Sequence, residues 1–151
     1  DPCMVVLGLE ARPDDSPKDT SRNIRDNREF VVNLVDYAMG EQMNLCSTPL
    51  PPDESEIELS GFTTVASTVV SPPRIGEAPA ALECTRHTTL ELGIRREIVV
   101  GEVRAIAIRP DLIDGETMKI DPFGLDTIGR LGGSLYSRTQ DVFELKRPDG
   151  R

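Results

Sequence analysis

Residues 3–10 form a continuous apolar run, Cys-Met-Val-Val-Leu-Gly-Leu closed by a glutamate, and Arg12-Pro13-Asp14-Asp15 follows it. That is the pattern of a strand buried on both faces and ended by a turn. A helix is expected over residues 20–27, capped at Asp19 or Thr20, and a second strand over residues 30–35. Residues 37–45 have the composition of another short helix, and Asp53-x-x-Glu56 after Pro51-Pro52 has the form of a capping box opening a third. The turn-rich connector over residues 47–52 and the prolines at 72, 73 and 79 mark irregular stretches too short to separate domains.

From position 82 the pattern becomes an alternation. Leu82, Cys84, Thr88, Leu90 and Leu92 are expected inward, with Glu83, Thr85, His87, Thr89 and Glu91 on the polar face; Arg86 alone breaks the order. A strand over residues 98–108 sets Val99, Gly101, Val103, Ala105 and Ala107 on one face, small side chains suited to the crowded inside of a barrel, and Gly101 is placed to bend it. A last short strand is expected at residues 142–145, with a tail beyond. Early strands, helices inserted between them and two long adjacent strands late in the chain predict a mainly β protein, a β-barrel with peripheral helices rather than alternating βαβ units. No internal repeat is visible.

A length of 151 residues supports one domain spanning 1–151. Trp is absent and aromatics make up only 4% of the chain, so the core must rest on Val, Ile, Leu and Ala. The net charge of -9, with no basic stripe, argues against nucleic acid and against anionic membranes. No run of about 18 apolar residues is present to form a membrane-spanning helix. Cys3, Cys46 and Cys84 are widely spaced and lack a Cys-x-x-Cys pair, which predicts three reduced thiols and a cytoplasmic setting. The chain opens at Asp1-Pro2 with a strand almost at once, and an upstream segment is expected.

Most catalytic chemistries find no support. Glu83, Cys84 and His87 are close in sequence, but Cys84 and His87 point to opposite faces of a regular strand, so no metal site is expected. His87 is the only histidine and no Gly-x-Ser-x-Gly elbow accompanies it. Nothing selects a carboxylate pair from so acidic a surface. Arg130-Leu-Gly-Gly-Ser fits neither the dinucleotide nor the Walker pattern; adjacent glycines mark a turn or helix end, or let backbone approach a flat ring beside Tyr136. The strongest local signal is Lys18-Asp19-Thr20-Ser21. It reads either as a plain helix cap or as a helix start whose free N–H groups, dipole and Lys18 hold a phosphate.

The order Lys18-Asp19-Thr20-x-x-Asn23-Ile24, Glu29-Phe30-Val31-Val32-Asn33-Leu34, Glu83-Cys84, Val100-Gly101-Glu102-Val103 and Arg130-Leu131-Gly132-Gly133-x-x-Tyr136 resembles the flavin reductase-like, FMN-binding split-barrel flavoproteins over nearly the whole chain. The resemblance implies a split barrel working as a homodimer, with FMN at or near the subunit contact and NAD(P)H as hydride donor. It further implies that the reduced flavin passes to a partner monooxygenase in some members. Lys18, Asp19, Thr20 and Ser21 would surround the FMN phosphate, and Arg130, Gly132, Gly133 and Tyr136 would shape the ring site. A non-catalytic FMN carrier or sensor is the alternative on the same scaffold. Many two-component reductases of this kind carry Gly-Asp-His just before the glycine matching Gly101, where this chain has Ile94-Arg95-Arg96. In them a segment upstream of the first strand also packs along the flavin.

Overall fold

The computed structural model describes residues 1–51 and 54–148. Four strands form one antiparallel sheet, β1 (Met4–Glu10), β2 (Glu29–Asn33), β5 (Ala80–Glu91) and β6 (Arg96–Ile108), in the order β1-β6-β5-β2. Two ribbons complete the β structure: β3 (Thr64–Val65) with β4 (Arg74–Ile75), and β7 (Ile128–Gly132) with β8 (Leu135–Arg138). The helices α1 (Asp19–Asn27), α2 (Gly40–Leu45), α3 (Glu56–Ser60) and α4 (Pro122–Leu125) are short, as the mainly β expectation requires.

β1 corrects the sequence reading. It lies at the edge of the sheet and pairs only with β6, and its residues alternate between partly buried Val5, Leu7 and Leu9 and exposed Met4, Val6 and Gly8. Its second face is therefore not covered among the described residues. The expected strand over residues 30–35 runs from Glu29 to Asn33, and the helix over 37–45 begins only at Gly40, after Asp36 Oδ1 accepts from the Met39 N–H. Ser55 stands at the start of α3 without a side-chain cap; Asp53 of the expected capping box lies outside the described residues. Residues 142–145 form no strand, and Val142, Phe143 and Leu145 are exposed.

Two register shifts explain why alternation along β5 and β6 misled. Arg86 pairs with Gly101 and Thr88 with Val100, so His87 is an extra residue and the strand changes phase there. Thr89 and Glu91 consequently join Cys84 and Arg86 on the face beneath α1, while Leu90 and Leu92 turn outward and stay about half exposed. A second shift opposes Cys84 to Val103 and Glu83 to Ala105, which separates Ala105 and Ala107 from the face shared by Val99, Gly101 and Val103. Glu83, expected on a solvated face, is fully buried: its carboxylate accepts from the Thr68 and Val69 N–H groups at 2.8–3.0 Å and lies 3.3 Å from Arg74 Nε.

The core gathers Ile24 of α1, Phe30, Cys84 and Val99, flanked by Val5, Leu7, Leu9, Val32, Leu82 and Val103. Gly101 is fixed by packing rather than bending. A Cβ there would stand 2.3 Å from Phe30 Cζ. Burial pushes the Cys84 thiol up to about 11, and all three cysteines are free. Among the described residues no helix is long and apolar enough to cross a membrane.

Candidate functional site

Helix α1 begins on Lys18, not on Asp19 or Thr20 as expected, and no side chain caps it. Asp19 sits in the first turn, where its carboxylate takes Arg12 at 2.5 Å and Arg22 at 2.8 Å. A carboxylate already engaged by two guanidiniums cannot fold back to cap the helix. The first intrahelical N–H bond is that of Arg22 to the Lys18 carbonyl, so the N–H groups of Asp19, Thr20 and Ser21 meet no acceptor among the described residues. Lys18 and Thr20 are exposed beside them. Ser21 differs: it is 4% exposed and its side chain lies under the helix, toward Glu97.

Below α1, Arg25 binds Glu97 at 2.6 Å and Glu91 at 3.2 Å. Burial alone would raise the Glu97 carboxyl. Hydrogen bonds from Arg25 and Ser21, with the charges of Arg25 and Arg86, hold it below the usual carboxylate range. Ser21, Arg25, Glu91 and Glu97 line a polar groove of about 260 Å³ along the α1 flank, closed by the β5–β6 turn. In that turn Arg95 pairs with Asp15 and Arg96 with Glu10, so both arginines are committed to local ion pairs.

The second group of expected residues lies on a β-hairpin. Arg130 and Gly132 are in β7, Gly133 makes the turn with φ +57, and Tyr136 is in β8. The paired glycines thus serve a strand turn rather than a helix end. Arg130 donates to the Gly133 carbonyl at 2.7 and 3.1 Å and braces that turn instead of reaching outward. Tyr136 opens onto a largely apolar cavity of about 400 Å³ with Tyr37, Met43, Ile128 and Arg138. Arg138 stacks 4.0 Å over the Tyr37 ring and is held by Asp126 at 2.5 Å. Sequence reasoning missed Tyr37, Ile128 and Arg138; Tyr37 was read only as helix, and the hairpin itself was not foreseen.

The structure brings Lys18, Asp19 and Thr20 together at one helix start and places Gly132, Gly133 and Tyr136 on one hairpin. Ser21 opens onto the groove beneath α1 and Tyr136 onto the separate hairpin cavity. Among the described residues no group of three or more His, Cys, Asp and Glu side chains is placed to hold a metal. The bulge that could have joined Cys84 to His87 exists, but Cys84 is fully buried and His87 is exposed.

Comparison with known proteins agrees with this architecture. Residues 1–122 match the model of the flavin reductase like domain. A protein of Halalkalibacterium halodurans is 36% identical over 98% of this chain and 72% of its own length, and one of Deinococcus radiodurans is 38% identical over 97% and 65%. Among solved structures, 2-nitrobenzoate 2-nitroreductase of Pseudomonas fluorescens is 36% identical, with a TM-score of 0.87 over 97% of this chain and 70% of that one. Nitrilotriacetate monooxygenase component B of Bacillus cereus is 31% identical, with a TM-score of 0.87 over 94% and 71%. A split barrel domain protein of Shewanella frigidimarina, 22% identical, superposes with a TM-score of 0.82 over 95% of this chain and 70% of that one, which bears on the fold alone. The match of the family model over residues 1–122, with relatives 36% identical over nearly the whole chain and split-barrel structures that superpose on its sheet, places the chain in the flavin reductase-like family, with the split-barrel fold.

Proposed function

We propose that this chain is an FMN-dependent oxidoreductase that takes hydride from NAD(P)H, with the flavin phosphate at the start of α1 and the flavin ring against the β7–β8 hairpin. The observation that carries this reading is the uncapped helix: three backbone N–H groups without acceptors, next to Lys18 and Thr20, with Arg12 and Arg22 close by. Helix dipole and free donors together favour an anion at this end. Lys18 contributes charge and Thr20 a hydroxyl donor, while Asp19 orders the two arginines. Ser21 contributes its backbone N–H only, because its hydroxyl is turned beneath the helix.

The hairpin cavity suits a flat ring. Its aromatic and aliphatic walls, with Gly132 and Gly133 at the neighbouring turn, supply stacking surface. Flavin, when bound, supplies the hydride-accepting chemistry. This chain then has to bind and orient, and no acid, base or nucleophile is demanded of it. The nitroreductase and the monooxygenase component among the structural relatives are both oxidoreductases, and the latter's name supports delivery of reducing equivalents to a monooxygenase partner.

A homodimer belongs to the same reading. On the outer face of the sheet Val6 is 62% and Leu90 50% exposed, beside Met4, Ile98 and Val100, and the cavity and the helix start stand apart within one copy. A second copy is expected to cover that apolar face.

Substituting Lys18→Ala and Thr20→Ala tests the assignment. Each loses a contact to a charged group, about 1.5–3 kcal/mol, so FMN affinity should fall tenfold or more per substitution with the circular dichroism spectrum unchanged. Equal affinity in the double variant refutes the phosphate site. Yellow protein bleached by NADH or NADPH identifies the oxidoreductase, whereas colour without bleaching identifies a flavin carrier or sensor.

A further inference from the structure

We propose that Glu97 is a positioning residue for the anion site, holding α1 through Arg25 and Ser21 at the tilt that aims the N–H groups of Asp19, Thr20 and Ser21 at the flavin phosphate. This deepens the flavin reading above and rests on it.

Helix α1 needs such a hold. Of its nine residues, Asp19–Asn27, only Ile24 is apolar, whereas a helix laid on a sheet ordinarily presents an apolar stripe of about three positions in every two turns. Packing through one side chain fixes a point and not a direction. The C-terminal end passes straight into β2 through Arg28, so the end left to swing is the one that bears the free N–H groups. Arg12 holds Asp19 there, but Arg12 belongs to the loop over residues 11–17 that leads into the helix, not to a strand.

The sheet supplies the missing contact. Glu91 of β5 and Glu97 of β6 stand directly opposite each other, and like charges so placed destabilise a strand pair unless a cation joins them. Arg25 is that cation: its Nη2 donates to Glu97 Oε2 at 2.6 Å and to Glu91 Oε1 at 3.2 Å, and its Nε donates to Glu97 Oε2 at 3.2 Å. Ser21 lies one turn earlier on the same helix face, buried and turned toward Glu97, and Arg86 of β5 adds its charge from the sheet. The Glu97 side chain is only 8% exposed, so this bond is made away from water and holds more firmly than half-exposed pairs such as Arg95 with Asp15. Glu97 does not itself touch the phosphate, because Arg25 stands six residues, about 9 Å of helix, beyond Asp19. Its effect is on aim. Hydrogen bonds weaken steeply off line, and a supporting residue displaced by about 1 Å is enough to loosen a site.

FMN and riboflavin differ only in the phosphate, so the two flavins separate aim at the phosphate from general support of the fold. Each is titrated into the folded chain, and binding is read from the quenching of flavin fluorescence. The unsubstituted chain should prefer FMN. We expect Glu97→Gln to lower FMN affinity about tenfold and to leave riboflavin affinity unchanged, and Arg25→Gln to do the same, with the double variant losing no more than either single one. Arg25 is half exposed, and Arg25→Gln carries the test if Glu97→Gln does not fold. Equal losses for FMN and riboflavin reduce Glu97 to a support of the fold and overturn the proposal, as do losses that add in the double variant. Full FMN preference in Glu97→Gln, beside its disappearance when Lys18→Ala and Thr20→Ala are combined, overturns the role of Glu97 and leaves the phosphate site standing. An unsubstituted chain without a preference for FMN overturns the phosphate site and the proposal with it.

Discussion

Gly101 is held by the Phe30 ring and Val5. With Phe30 Cζ only 2.3 Å from where its Cβ would stand, Gly101→Ala must displace a ring that is itself packed against Ile24, Cys84 and Val99. Overpacking of this kind costs about 1–3 kcal/mol, and we expect a lowered denaturation midpoint that Phe30→Leu in the same chain partly restores. Failure of the second substitution to compensate would show that the glycine serves the backbone instead. Glu97 is governed by charge. Its folded carboxyl titrates below the ordinary glutamate value of 4.5, so its stabilisation is complete above that value and is lost as pH falls through the lowered one. Glu97→Gln should therefore cost on the order of 1–3 kcal/mol at neutral pH, and the gap to the unsubstituted chain should close as urea unfolding is repeated at progressively lower pH below 4.5. A gap independent of pH would assign the loss to packing.

Elements were legible where local pattern decides them. The strand at Glu29–Asn33 and the long pair Ala80–Glu91 and Arg96–Ile108 were visible in their apolar patterns, and the α1 helix in the polar residues that open it. What could not be seen were the features set by neighbours distant in sequence. The phase changes at His87 and Arg104 depend on how β5 lies against β6, and nothing in the local residues except the misfit of Arg86 announced the first. Burial of Glu83 depends on the backbone at Thr68 and Val69 arriving over it. The cap at Lys18 was misassigned because the Asp19 carboxylate is drawn away by Arg12, seven residues earlier, and by Arg22. Of the candidate site, the helix start was found by its own chemistry. The hairpin residues came only with the family resemblance, since Arg130, Gly132, Gly133 and Tyr136 carry no periodicity that predicts a cavity with Tyr37 and Ile128.

At the scale of the molecule, the sheet has one face under α1 and another on which Val6 of the edge strand β1 and Leu90 of β5 lie open. If a second copy covers that outer face, sedimentation should return twice the 16.6 kDa chain mass, and Val6→Glu should return the single-chain mass with the spectrum of a folded protein. A single-chain mass for the unsubstituted protein removes the dimer.

The additional residue at position 87 also bears on how distant relatives are to be aligned. Leaving out the gap there alters no neighbouring peptide geometry, yet it exchanges which of Thr89 and Leu90 is assigned to the helix-covered side for the remainder of the strand. Homology-based numbering downstream of this point is consequently sound only when the supernumerary residue is counted, and an omitted gap would exchange the two faces of the strand on paper from there to Glu91.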